Sequence, residues 1–311
     1  MRSFLARRVL YGVIAILGAL LVIFVLSRLS GDPLDLYLDE YGGALAEETR
    51  ERFRKELALD QPVVFQYVIW VGRYLRGQFG DSLIHQRPVI TVVQERFWTS
   101  IQLGIIAWTF GTLLGVPLGI VSAVQRGRPL DYVARGIALV GQAAPVFWVG
   151  IMAILIFSGE LEWLPSGTRG DGFAIRNYIL PSIVLGWLPA AAYLRLTRSS
   201  MLEVLESEYV KFARAKGVES STVIWKHAFR NAVIPPLTIS GLILVGFING
   251  TTVVETVFSW PGLGRVAVQA VQGNDFPLIS AITFLTVVLY VVVVLTMDIL
   301  YAILDPRIRY A

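Results

Sequence analysis

The sequence predicts an all-α, polytopic membrane protein with six transmembrane helices, and three observations carry that expectation. Of 311 residues, 55% are hydrophobic and the mean hydropathy is +0.63, more apolar surface than a soluble domain of this length can bury. Six apolar runs, at about 9–29, 100–124, 134–157, 178–196, 237–257 and 277–303, have roughly the 20 residues that cross a hydrocarbon core. Basic residues gather in alternate short connections: about fifteen Lys and Arg lie in one set and about three in the other.

The first run is entered from MRSFLARR. It is too long for a cleavable signal core, and SRLSGDP is no small-residue cleavage site, so it reads as a retained helix. Arg2, Arg7 and Arg8, the connection with Arg126, Arg128 and Arg135, the loop from Arg195 to Arg230, and the tail with Arg307 and Arg309 then share the cytoplasmic side, with both termini. The expected organisation is a first helix in 1–30, an extracytoplasmic segment in 31–98 with short amphipathic helices, a five-helix core in 99–303 containing the cytoplasmic loop 197–233, and a cytoplasmic tail in 304–311. Within 31–98, LAEETRERFRKELALDQP reads as a charge-laced helix stopped before proline. VVFQYVIWVGRYL is too short to span and reads as interfacial, with Tyr67, Trp70 and Tyr74 at headgroup depth.

Helices two to four contain many Gly and Pro residues, among them Gly111, Gly115, Gly119, Pro145, Pro181, Gly186 and Pro189. Small residues let helices approach closely, and prolines at membrane depth need neighbours or water to satisfy freed carbonyls. The expectation is a bundle with irregular inner walls.

Enzymatic chemistry finds no foothold. There is no Cys, and the two histidines, His85 and His227, lie outside the spans. No HExxH, no paired intramembrane acids and no GxxxxGK[ST] occur, so no catalytic residue, metal site or cofactor is assigned to this chain. A net charge of +4 is what positive cytoplasmic loops produce by themselves and gives no case for nucleic acid. The intramembrane acids Glu255 and Asp298 raise the alternative of an ion-coupled secondary transporter acting alone. Both sit near helix ends, where a satisfied polar contact is the simpler reading, and Gln142 and Asn249 read as interhelical glue.

The loop between runs four and five is the most distinctive stretch. In EYVKFARAKG, Leu205, Tyr209 and Phe212 form an apolar stripe, Ala213 and Ala215 keep a flat surface, and Gly217 ends the helix. Ser220 or Ser221 offers an N-cap for a second short helix, which Pro235 and Pro236 close. From the residues alone, docking to a protein and lying on anionic headgroups are equally supported.

EYVKFARAKGVESSTVIWKHAFRNAVIPPL resembles the cytoplasmic loop of permease subunits of ATP-binding-cassette importers, in the dipeptide, oligopeptide and nickel branch. LSGDP, LALDQPVVFQYVIWVGRYLRGQFGDS, APVFWVG, ETVFSWPGLG and LDPRIRY extend the resemblance along nearly the whole chain. It implies a type I importer permease in a bacterial or archaeal cytoplasmic membrane. Its implied partners are a second homologous permease, two ATPase subunits that hold ATP and Mg, an extracytoplasmic solute-binding protein and the lipid. The loop would dock on an ATPase through Glu208, Ala213, Arg214, Ala215, Lys216 and Gly217, with Asn231 ending the matching part. Lys211 and Phe212 depart from the broader motif, as does the spacing from Gly217 to Pro235. Glu255, Phe258, Pro261, Gly262 and Gly264 are assigned to an outer gate or binding-protein contact, against the plainer reading of a Gly/Pro turn around a buried aromatic.

Overall fold

The computed structural model describes residues 2–29, 51, 54, 59–167 and 174–304. Most of the expected helix in 45–62, residues 30–33 of the LSGDP segment, the side chain of Asn249 and the tail beyond 304 lie outside the described residues. The chain divides into two compact units, residues 1–99 with 262–311, and residues 100–261.

In the first unit, α1 (Arg2–Leu29) and α10 (Phe276–Leu304) pack along each other. Gly12 lets them close up, since a Cβ there would sit 2.7 Å from Val291 Cγ1. Helix α2 (Val63–Leu75) is the predicted short segment. Of its aromatic residues, Tyr67 donates to Leu17 O over 3.0 Å and Tyr74 meets Phe79 and Phe284 edge-on, whereas Phe65 is exposed. The exposed face is Val63, Val64, Phe65 and Val68. Two-residue strands β1 (Asp81–Ser82) and β2 (Arg87–Pro88) pair antiparallel, a small addition to the all-α expectation.

The strand pair is held to α10 by Asp275, which is fully buried. Its carboxylate accepts from Ser82 Oγ at 2.5 Å and Ile84 N at 3.1 Å, and caps α10 by accepting from Leu278 N at 3.1 Å. Helix α9 (Leu263–Gln272) packs on α10, burying Val266 and Ala270.

The second unit contains the C-terminal part of α3 (Val89–Val124), then α4 (Pro129–Ala143), α5 (Val146–Ile154, continued by a π-helical stretch Leu155–Glu160), α6 (Ile175–Leu205), α7 (Glu208–Ala215) and α8 (Ile234–Val257). The run read as one span over 134–157 is instead broken at Ala144–Pro145 with a bend of 104°. Proline cannot donate to the ladder and drives the preceding residue out of the helical region; Ala144 is extended at φ −83°, ψ 129°.

Helix α6 is the centre of this unit. In its most apolar stretch 61% of residues are buried, against 17% for α1, so α6 is packed by this chain and α1 is left largely uncovered by it. Gly111, Gly115 and Gly119 form a small-residue ladder on α3 that meets the α6 backbone. A Cβ at Gly119 would lie 2.7 Å from Leu194 O, and one at Gly115 would lie 2.7 Å from Tyr193 Cβ.

Four described helices are long and apolar enough to cross a membrane, or five if the bent pair α4–α5 is one span. The expected fifth run, 237–257, falls in α8, of which Ile234–Leu244 qualifies only as a shorter apolar helix. All six predicted runs fall on helices.

Candidate functional site

The loop that follows α6 is built to hold α7 rigidly. Helix α6 stops at Leu205, where Ser207 Oγ donates back to Val204 O, and α7 begins after a two-residue turn. Ser207 stands at the N-cap of α7, but its hydroxyl is engaged behind it and does not cap. At the other end Gly217 adopts φ +76°, the left-handed conformation that glycine takes without a Cβ penalty. Gly217 N donates to Arg214 O at 2.9 Å and Val218 N to Ala213 O at 3.2 Å, the paired bonds of a Schellman stop. Val218 completes the motif by packing on Val210, Ala213 and Val223.

The buried face of α7 is Val210 and Ala213, and Tyr209 and Phe212 of the predicted apolar stripe are left exposed. Tyr209 and Phe212 point outward, and Ala213 belongs to the small core of the loop instead of a flat outer surface. Arg214, Ala215, Lys216 and Gly217 are exposed together. Lys216 Nζ lies 4.5 Å from the Phe212 ring centroid, a cation–π contact, and Glu208 pairs with Lys211 at 2.8 Å in full solvent.

Beyond Gly217 the chain forms Ser220–Thr222, a π-helical stretch Val223–Phe229, and Arg230–Ala232. Glu219, not Ser220 or Ser221, occupies the first N-cap, with no side-chain capping bond. Pro235 falls in the first turn of α8, where its missing N–H costs nothing, so it starts that helix as much as it closes the loop. Ala228 and Ala232 are buried against Ile120, Ala123 and Met201, which seats the second arm on α3 and α6. Asn231 joins the two arms: its Nδ2 donates to Tyr209 Oη at 2.9 Å and to His227 O at 3.1 Å. Asn231 thus braces α7 and does not extend its exposed face.

The segment 255–264 has a different character. Glu255 and Phe258 are buried in the second unit, where Ser100 Oγ donates to Glu255 Oε1 at 2.6 Å and Trp260 N to Glu255 O at 2.8 Å. Trp260 stacks edge-on against Tyr178, both fully buried, with centroids 4.6 Å apart. Glu255 and Phe258 therefore expose almost no surface of this chain. Pro261 is half-buried; Gly262 and Gly264 belong to the first unit, where Gly262 occupies the N-cap of α9.

The acids considered for ion coupling have structural partners. Asp298 lies 3.1 Å from Arg8 Nη1, and Gln142 accepts from Arg195 at 2.9 Å, as interhelical glue should. Among the described residues no three His, Cys, Asp or Glu side chains gather as a metal site.

Sequence reading missed one cluster. Asp131, 1% exposed, accepts from Arg198 Nε at 2.8 Å and Nη2 at 3.0 Å, from Ser122 Oγ at 2.6 Å and from Gly127 N at 3.0 Å. The only local signal is the i,i+4 spacing of Asp131 and Arg135, whose Nε lies 3.4 Å away.

Residues 115–310 match the family model of the binding-protein-dependent transport system inner membrane component. The chain is 36% identical to the oligopeptide transport system permease protein AppB of Bacillus subtilis over all of both chains. It is 35% identical to the dipeptide transport system permease protein DppB of Escherichia coli K12, covering 100% of this chain and 99% of that protein. With the glutathione transport system permease protein GsiC of the same organism, identity is 38% over 94% of each. Among solved structures, an inward-facing conformation of the MetNI methionine ABC transporter superposes with a TM-score of 0.60 over 70% of this chain and 97% of that one, at 16% identity. An amino acid ABC transporter gives 0.53 over 70% and 94%, at 17%. Coverage of the relatives from end to end, at this identity, settles the family as the helix arrangement alone does not: the chain belongs to the binding-protein-dependent transport system inner membrane components and is a permease subunit of such an importer.

Proposed function

We propose that this permease forms a translocation path with a second, homologous permease. It would receive solute from an extracytoplasmic binding protein and take its energy from two ATPase subunits that bind ATP and Mg. The observation that carries this reading is the architecture of α7: a short helix with a fixed start, a Schellman stop at Gly217 and a small core of its own, offering Arg214, Ala215, Lys216 and Phe212 outward. A helix that merely rested on headgroups would have no use for the brace from Asn231 to Tyr209. The permeases named for oligopeptides, dipeptides and glutathione support peptides or similar small solutes as the cargo.

The distribution of basic residues supports a topology of six crossings with both termini in the cytoplasm, α8 being the sixth helix added to the five counted by length and apolarity. Loop 197–233 is then cytoplasmic, and segment 255–264 lies at the outer end of the path, where the half-buried Pro261 and Gly264 are the members able to meet a gate or binding protein. The test is Gly217→Pro and, separately, Arg214→Glu in the reconstituted transporter, reading uptake of labelled di- and tripeptides against ATP hydrolysed. Both variants are expected to lower uptake per ATP, and unchanged coupling in both would sink the docking assignment.

A further inference from the structure

The cluster around Asp131 joins more elements than stability alone requires. Its Oδ1 accepts from Ser122 on α3 and from Arg198 on α6; its Oδ2 accepts from the other arm of the same guanidinium and from the turn at Gly127. Removing two charges from water is expensive, and apolar packing of the same volume often stabilises as well or better. What a bidentate guanidinium–carboxylate pair supplies and apolar packing does not is a fixed register.

Register at the N-terminal end of α4 is what the cluster sets. Helix α4 lies on α6 through Ala134 and Ala138 against Ala191 and Leu194, and further along it is tied to α6 by Gln142, which accepts from Arg195, and by the close approach of Gly141 to Trp187. Helices α3 and α6 are already interlocked backbone to backbone by the glycine ladder. The tie through Gln142 holds the C-terminal end of α4; at its N-terminal end the pin is Asp131, which sits in its first turn. Arg198 lies two turns before Leu205, from which the docking segment hangs, and Arg126 pairs with Glu206 at 2.5 Å to tie the α3–α4 turn to the same junction.

We infer that Asp131 is a positioning residue that locks α4 to α3 and α6, so that displacement of α7 is carried into α4 and the bent helix pair it begins. The inference rests on the docking reading of α7. It makes Asp131 and Arg198 parts of the transmission, although neither touches ATP or solute.

The test exploits the absence of native cysteine. Spin labels are placed at Leu113→Cys on α3 and Leu139→Cys on α4, both exposed positions, in the full transporter purified with its ATPase subunits. The α3–α4 distance is measured without nucleotide and after trapping with ATP and vanadate. In the parent the distance is expected to stay the same in both states. With Asp131→Asn, trapping is expected to shift it by more than about 2 Å, the scale of helix shifts, or to broaden it about twofold. Arg198→Lys, which keeps the charge and loses the fork, is expected to behave like Asp131→Asn. A nucleotide-independent distance in both variants, a distance that already changes in the parent, or loss of assembly in both variants would each overturn the inference. Failure of the ATPase subunits to co-purify with the parent is a separate result, which sinks the docking reading and this inference with it.

Discussion

Asn231 Nδ2 donates to the hydroxyl of Tyr209 across 2.9 Å and 22 residues of sequence, closing the two arms of the loop into one body. The same hydroxyl donates to His227 O at 3.3 Å, so Tyr209 bridges both partners. Tyr209→Phe removes both bonds, and Asn231→Ala removes the bond to Tyr209 together with its own bond to His227 O. Each is expected to lower uptake per ATP about threefold, the equivalent of roughly 0.6 kcal/mol for an exposed hydrogen bond. The double variant should lose less than the sum of the two single losses, because the bond between the residues is counted in both. Additive losses in a double-mutant cycle of uptake and ATP hydrolysis would show the brace to be incidental.

The glycine ladder predicts a graded response. At Gly115 and Gly119 a side chain meets the α6 backbone or side chains at 2.7 Å or less, so Gly119→Val is expected to destabilise the folded subunit by about 3 kcal/mol, at the upper end for overpacking. Gly136 faces open space, and Gly136→Ala should be neutral or stabilising by up to about 1 kcal/mol. Thermal unfolding of the detergent-purified chain, followed by tryptophan fluorescence, separates the two.

Asp275→Ala leaves the Ser82 hydroxyl and the amides of Ile84 and Leu278 without their acceptor, and removes the cap of α10. The expected cost is about 2–4 kcal/mol. Asp275→Asn keeps one oxygen as an acceptor and should cost less. Equal melting temperatures for Asp275→Ala and the parent would contradict this account.

Asp298 is matched with Arg8, whose side chain is 44% exposed, so the pair is worth about 0–1 kcal/mol. Asp298→Asn is therefore expected to leave ATP-driven uptake of labelled peptides within about twofold of the parent. Uptake should also be indifferent to a protonophore. Inhibition by the protonophore at constant ATP would revive ion coupling.

The long apolar helices α1, α3, α6 and α10 were legible because apolarity over about 20 residues is a one-dimensional property, and so was the stop at Gly217, which needs only a residue free to take positive φ. The face of α7 was not legible. In an eight-residue helix the choice between Tyr209/Phe212 and Val210/Ala213 is a rotation of one residue, and only the packing of Val218 and Val223 decides it. The break at Ala144–Pro145 was available from the restriction that proline places on its predecessor, but hydropathy runs through it undisturbed. The Asp131 cluster depends on a pairing 67 residues apart, which no local pattern carries.

The contrast between α6, packed by protein on most sides, and α1, covered so sparsely within the chain, also bears on how the sequence can drift. Lipid asks of a side chain only that it be apolar, whereas a neighbouring helix asks for a particular shape. Substitutions among Leu, Ile, Val and Phe should therefore pass almost unnoticed along α1 and meet resistance along α6, so that in a saturation scan the most apolar of the four long described helices is also among the most permissive.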